Sequence, residues 1–229
     1  MKTIGLIGGM SWESTSLYYR LINEETKRRL GGLHSARIAM VSLDFQDIET
    51  LQMRDDWDAA AEILVDAAKR VEKAGADFLL ICTNTMHKVA DTVADAIDIP
   101  LLHLADATAE RITEAGIETV GLLGTRFTME HDFYKGRLEQ HGINVLVPRV
   151  EERDLVHRVI YEELCLGITQ GESRKAFIEI IDDLAERGAG AVVQGCTEIG
   201  LLVNEQHTNV MLFDTSRIHA ERAVAMALD

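Results

Sequence analysis

The sequence predicts an α/β fold made of two similar three-layer domains with mainly parallel sheets. Helical periodicity alternates with short apolar runs along the chain, which is typical of parallel strands covered by helices on both faces. Residues 73–85 (KAGADFLLICTNT) and 186–198 (ERGAGAVVQGCTE) align without a gap, 113 positions apart. Residues 2–11 (KTIGLIGGMS) and 118–127 (ETVGLLGTRF) resemble each other in the same way. These two matches indicate an internal duplication.

The first half has the pattern of three buried strands separated by helices. Short apolar runs bounded by turn residues indicate the strands, and the pair Gly31-Gly32 marks the end of the first helix. In chain order the predicted elements are a strand at 4–7, a helix at 11–30, a strand at 37–43, a loop at 44–57, a helix at 57–73, a strand at 77–82, a helix at 88–96 and a short strand at 99–102.

The second half repeats this alternation. Its predicted elements are a helix at 106–115, a strand at 119–123, a polar loop at 124–128, a helix at 130–140, a strand at 144–147, helices at 152–166 and 172–187, a strand at 191–194, a polar loop at 195–198, a strand at 210–213 and a helix at 218–228. The last helix is predicted to return to the first half. We therefore expect one domain at residues 1–101 plus 215–229 and a second at 102–214.

Composition and charge exclude several classes of partner. The formal net charge of −15 argues against nucleic acid or an anionic membrane surface, because both attract basic patches. The longest apolar runs, such as 78–82, are too short to cross a bilayer. No signal-peptide pattern opens the chain, and the three cysteines have no CxxC spacing. A disulfide framework or a zinc site is not expected, and the cytoplasm is the expected compartment.

The glycine-rich turn after the first strand raises the question of a nucleotide site. The segment GLIGGM matches neither the GxGxxG fingerprint nor a P-loop, since no Lys-Ser/Thr pair follows it. We expect instead a turn that lets a small ligand approach the backbone.

Two reactive side chains end the two duplicated strands. Cys196 lies between Gly195 and Thr197, and open α/β sheets bind ligands just outside the carboxyl ends of their strands. A thiol has a reference pKa of about 8.5, so modest help would produce a thiolate; the alternative is a buried, inert cysteine. Thr83 occupies the matching position, and its hydroxyl is a very poor base. The neighbouring Cys82 should point the other way, into the core.

Neutral hydrogen-bonding side chains surround both strand ends. With the adjoining helix N-termini, such groups can hold a carboxylate without a fixed cation. They are Asn84, Thr85, Thr125, Thr128 and Thr197.

The segments LIGGM, CTNTMH, LLGT and GCTE together make the chain similar to the aspartate/glutamate racemase family over essentially its whole length. The resemblance implies two α/β domains related by pseudo-two-fold symmetry, with the active site in the interdomain cleft. It also implies a small-molecule amino-acid substrate, no pyridoxal phosphate, no other cofactor and no metal, and a monomer or homodimer. In this family two cysteines flank the substrate α-carbon; one removes the α-proton and the other returns a proton to the opposite face.

Carried over by motif, the catalytic positions are Thr83 and Cys196. The resemblance assigns the α-carboxylate and α-amino group to Asn84, Thr85, Thr197 and the loop of Thr125 and Thr128, and it places Met10 and Gln52 near the ligand. By likeness to the family Cys196 serves the L-enantiomer. Because threonine replaces the other cysteine, we expect L-amino acids to exchange their α-proton faster than D-amino acids.

The substrate side chain is open to two interpretations. The resemblance favours aspartate or glutamate. However, Cys165 stands where family aspartate racemases have a side-chain-binding lysine, and Arg54 is out of register with their arginine. A broad-specificity racemase of neutral amino acids is therefore an alternative, and Cys165 can also be read as an ordinary helix-face residue.

Two further functions stay open at this point. A malonate-type decarboxylase would use one thiol to protonate an enolate, and a non-catalytic amino-acid binder would have lost the chemistry with Thr83. His87 either tunes the site or caps the next helix. Four other histidines lack the spacing of metal ligands and are expected to be structural or surface residues; they are His34, His103, His207 and His219.

Overall fold

The computed structural model describes residues 1–229 and contains two parallel sheets. The first sheet consists of β1 (Ile4–Gly8), β2 (Ile38–Ser42) and β3 (Phe78–Ile81), in the order β2-β1-β3. Both strand pairs are parallel, with Ile7 opposite Val41 and Ile81. Parallel strands require crossover connections, which the intervening helices supply.

The second sheet repeats this order and adds one strand. It consists of β4 (Thr119–Gly124), β5 (Asn144–Leu146), β6 (Ala191–Gly195) and β7 (Leu212–Asp214), in the order β5-β4-β6-β7. In the first sheet a single parallel bridge from Leu79 to Leu101 takes the place of β7. The duplication seen in the sequence is therefore a duplication of topology, and the predicted fold of two parallel-sheet α/β domains is confirmed.

Helices connect the strands of both sheets. The α-helices are α1 (Trp12–Leu30), α2 (Phe45–Met53), α3 (Trp57–Lys73), α4 (Ala90–Ala94), α5 (Leu104–Glu114), α6 (Arg126–Glu130), α7 (Asp132–Gln140), α8 (Val150–Glu162), α9 (Gly171–Glu186), α10 (Ile199–Leu202) and α11 (Thr215–Leu228). Short 3₁₀ helices cover Thr85–Val89 and Leu164–Leu166. None of these helices combines the length and the apolar character that a membrane span needs.

The chain divides into two compact units. Unit 1 comprises Met1–Leu104 and His219–Asp229, and unit 2 comprises Ala105–Ile218. In unit 1 the strands β1 and β3 bury both faces. Ile7 and Ile81 pack with α3, while the alternate residues Leu6 and Leu80 pack with α1 and α11. This alternation is what a sheet covered by helices on both faces requires.

Cys82 belongs to the second of these packed layers, together with Tyr18 and residues of α11. The side chain is fully buried, and burial raises the pKa of its thiol far above the ordinary value. Cys82 is therefore a core residue, as the alternation of side chains along β3 predicts.

Several predicted loops are helical in the structure. The loop expected at 44–57 is wrong, because α2 occupies most of it. The Asp44 carboxylate accepts a hydrogen bond from the Gln46 N–H at 3.0 Å and caps this helix. Ile48 and Gln52, one helical turn apart, face the interior. The polar loop at 124–128 likewise becomes α6 from Arg126 onward, and α10 directly follows the second polar loop.

Candidate active site

The turn after β1 is closed by one hydroxyl group of the following helix. The Gly9 N–H donates to Thr15 Oγ1 at 2.7 Å, and that hydroxyl donates to the Ser11 carbonyl at 2.8 Å. Gly9 has φ +91°, and a Cβ there would lie 2.1 Å from the Leu43 carbonyl oxygen. Only glycine fits this position. Met10, in the same turn, is buried and packs with the apolar core of unit 1.

The end of β3 carries Thr83, Asn84 and Thr85 into a 3₁₀ helix. Thr83 is partly exposed, whereas Asn84 and Thr85 are buried. Ser14 Oγ donates to the Cys82 carbonyl at 2.9 Å and ties this strand end to α1. Thr83 is therefore the accessible one of these three residues.

Gln52 approaches the same segment from α2. Its side-chain amide donates to Met86 Sδ at 3.0 Å, three residues after Thr83. The structure therefore brings Gln52 to the turn that follows Thr83, although the sequence placed it in a loop. Arg54, at the end of α2, is exposed.

In unit 2 two threonines lie just after the end of β4, at the N-terminus of α6. Thr125 Oγ1 accepts from the Thr128 N–H at 3.3 Å and lies 3.2 Å from Thr128 Oγ1. Both side chains are buried. A Cβ on Gly124 would lie 2.8 Å from the Gly195 carbonyl oxygen, so β4 and β6 approach closely where they end. These two hydroxyls hold the N-terminus of α6 together.

Cys196 follows β6 and contacts a carboxylate that the sequence reading did not single out. Cys196 Sγ donates to Glu198 Oε2 at 3.0 Å, and Thr197 Oγ1 donates to the same oxygen at 2.6 Å. Cys165 Sγ lies 3.9 Å from the other oxygen, Oε1. Cys196 is 8% exposed and Glu198 4% exposed. Two thiols and a hydroxyl therefore lie around the buried carboxylate of Glu198. In the sequence, the only signal for this residue was its place within GCTE.

The electrostatics of this cluster favour the protonated thiol. Burial raises the pKa of Cys196 well above its ordinary value, and the negative charge of Glu198 raises that pKa further. The expectation that a little help would make Cys196 a thiolate is wrong for the resting protein. The arrangement is a thiol already donating to a carboxylate, which can receive the thiol proton when the reaction needs a thiolate.

No group of three or more His, Cys, Asp and Glu side chains is arranged to hold a metal ion. The predicted site residues instead form one group in each unit. In unit 1 they are Thr83, Asn84 and Thr85, with Gln52 beside them and Met10 in the turn after β1. In unit 2 they are the capping pair Thr125 and Thr128 and the pair Cys196 and Thr197, which Glu198 joins.

Comparison with known proteins decides the family. The family model described as Asp/Glu/Hydantoin racemase matches residues 7–223. The chain belongs to the Asp/Glu/Hydantoin racemase family. It is accordingly an enzyme of the isomerase class.

Members of the racemase family match this chain over its full length. A candidate Asp/Glu racemase from Yersinia pestis is 54% identical, covers 100% of both chains and superposes with a TM-score of 0.93. An aspartate racemase homologue from Pyrococcus horikoshii is 34% identical with the same coverage and a TM-score of 0.85. The broad specificity amino-acid racemase RacX of Bacillus subtilis is 22% identical over 98% of each chain.

Proposed function

We propose that this racemase-family protein interconverts L- and D-amino acids without a cofactor, by removing and returning the α-proton. Cys196 is the proposed acid and base on the face of the L-enantiomer, and Thr83 takes the opposite position. The observation that carries the proposal is the buried thiol donating to Glu198 at a strand end, with a hydroxyl at the duplicated position.

The proposed reaction from the L-enantiomer has two proton transfers at the α-carbon, one on each face, and the other transfers reset the protein groups. The thiol proton of Cys196 passes to Glu198, and the resulting thiolate takes the α-proton, so the Cα–H bond breaks as an S–H bond forms. The electron pair left on the α-carbon is delocalised into the carboxylate of the substrate. The Thr83 hydroxyl then gives its proton to the opposite face and takes one from water, and Glu198 gives its proton to the hydroxide left behind, so every group returns to its starting state. The reverse reaction begins with threonine as base, which is the weaker arrangement.

Aspartate or glutamate is the proposed substrate. The motif resemblance supports this choice, and so does the printed description of the Pyrococcus horikoshii relative as an aspartate racemase homologue. A broad-specificity racemase of neutral amino acids is the alternative, supported by the description of RacX and by Cys165 at the position of the family lysine.

Proton NMR of the purified protein in heavy water tests the function. L- and D-forms of aspartate, glutamate and several neutral amino acids are added separately, and the α-proton signal and the optical purity are followed. The expected result is loss of the α-proton from an L-amino acid, faster than from its D-form and abolished in Cys196→Ser. Absence of exchange with every amino acid would reject the racemase proposal.

A decarboxylase that protonates an enolate with a single thiol is a second candidate, because Cys196 donates to Glu198 and the duplicated position holds Thr83 instead of a second thiol. The same NMR sample with an arylmalonate or alkylmalonate distinguishes the two. Release of carbon dioxide without amino-acid exchange would favour the decarboxylase.

A further inference from the structure

His87 contacts the backbone of Thr83, the residue proposed to act opposite Cys196. His87 Nδ1 lies 2.8 Å from the Thr83 carbonyl oxygen, and its Nε2 lies 3.3 Å from the Leu104 amide nitrogen. The side chain is 3% exposed. One buried imidazole thus joins the Thr83 turn to the segment that follows the Leu79–Leu101 bridge.

These two contacts define the tautomer. A carbonyl oxygen only accepts hydrogen bonds, so Nδ1 must carry the hydrogen. An amide N–H only donates, so Nε2 must carry none. His87 is therefore neutral, with its single proton directed at the Thr83 carbonyl. A proton on Nε2 would point at the Leu104 N–H and break that contact.

The imidazole is itself held in place by aromatic neighbours in unit 1. The His103 ring stacks edge-to-face on His87 with centroids 4.6 Å apart, and the His219 centroid is 6.0 Å away. His219 donates from Nε2 to the Leu102 carbonyl at 2.9 Å and accepts from the Tyr18 hydroxyl at 2.9 Å. The ring of His87 therefore has little freedom to turn away from Thr83.

We propose that His87 is a positioning residue. By fixing the Thr83 carbonyl, it holds the Thr83 hydroxyl where it can give its proton to the substrate α-carbon. This inference rests on the proposed function. A threonine hydroxyl is a weak acid, and proton transfer from it is highly sensitive to distance and angle. A rigid turn is therefore worth more here than at the thiol, which is the stronger acid and is already bonded to Glu198.

The test separates the two faces of the reaction. In heavy water, exchange of the α-proton with retention of the L-configuration needs Cys196 alone, whereas racemisation also needs Thr83. The informative quantity is the ratio of the racemisation rate to the exchange rate of the L-substrate. A residue that only stabilises the fold would lower both rates together and leave this ratio unchanged.

Two matched variants isolate the contact to Thr83. The amide nitrogen of His87→Asn lies near the place of Nδ1 and keeps a donor for the Thr83 carbonyl. The longer side chain of His87→Gln places its amide group near the position of Nε2. It keeps an acceptor for the Leu104 N–H and loses the hydrogen bond to the Thr83 carbonyl. We expect His87→Gln to lower the ratio about tenfold and His87→Asn to stay within about twofold of the wild type.

The outcomes distinguish this inference from the proposed function. If the wild-type protein exchanges no α-proton, both fail. If it exchanges and both variants keep the wild-type ratio, only the role of His87 fails. Nitrogen-15 NMR of the wild-type imidazoles provides a measurement that needs no variant to fold. We expect the neutral Nδ1–H tautomer for His87 near neutral pH, and the Nε2–H tautomer would overturn the inference.

Discussion

The two duplicated strand ends share a backbone and differ in chemistry. At the end of β3 stands the partly exposed hydroxyl of Thr83, and the imidazole of His87 contacts its backbone carbonyl. At the end of β6 stands the buried thiol of Cys196, which donates directly to a carboxylate. The duplication places Gly200 opposite His87 and Thr85 opposite Glu198. The two ends therefore differ both in the side chain that follows the strand and in the groups that contact it, although the strand order around them is the same.

Removal of the thiol is expected to have the largest effect. Cys196→Ser should lower both racemisation and α-proton exchange from the L-substrate by about a thousandfold or more, because a serine hydroxyl does not ionise near neutral pH. NMR in heavy water measures both rates. Cys165→Ser, which changes the other thiol near Glu198, is the matched control and should lose far less. Equal losses in the two variants would mean that Cys196 is not the reactive thiol.

Making the two ends alike is expected to have the next largest effect. Thr83→Cys supplies a stronger acid and base, so α-proton exchange from the D-substrate should rise about a hundredfold. The values of kcat/KM for the two enantiomers stay equal in every variant, because their equilibrium ratio in water is one. The asymmetry therefore has to be measured as exchange rates or as separate kcat and KM values. Unchanged D-exchange would remove Thr83 from the proposed mechanism.

Glu198→Gln separates the charge of the carboxylate from its size. The negative charge of Glu198 raises the pKa of Cys196, so its removal should lower that pKa and shift the pH midpoint of iodoacetamide alkylation downward. Exchange from the L-substrate should still fall, by about tenfold, because an amide cannot accept the thiol proton. Glu162→Gln, an exposed change in the same unit, is the control. A variant with full activity would show that Glu198 only orients the thiol.

The smallest expected effect concerns the stability of unit 1. Burial is the main reason that the pKa of His219 is lowered to about 3. Its unfolded pKa is about 6.5, so the unfolded chain binds the proton first. The associated stability is complete above about pH 6.5 and is lost as the pH falls toward 3. At pH 5 the expected loss is about 2 kcal/mol.

Urea unfolding at pH 7 and pH 5 measures this loss. His219→Gln should be less stable at pH 7 but should show a flatter pH dependence. The same pH dependence in the variant and the wild type would contradict the buried neutral state of His219.

Local patterns were sufficient to predict most of the fold. The helix predicted at 57–73 is α3 with the same bounds, because its apolar spacing is regular and Asp56 caps it. The strand ends at Thr83 and Cys196 were also predictable, since apolar runs of strand length that are bounded by glycines and small polar residues indicate buried parallel strands. The helix α2 was missed because one of its buried positions, Gln52, is polar and does not read as part of an apolar stripe.

The state of the reactive groups was decided by the tertiary structure. Cys165 reaches Glu198 from 33 positions away in the chain, and Leu104 reaches His87 from 17 positions away. Burial raises the pKa of Cys196, and burial depends on the packing of the whole unit rather than on neighbours in sequence. The sequence by itself determined which residues stand at the strand ends. Only folding decided which of them are buried and hydrogen-bonded, because hydrogen bonds and desolvation arise between segments that the chain brings together.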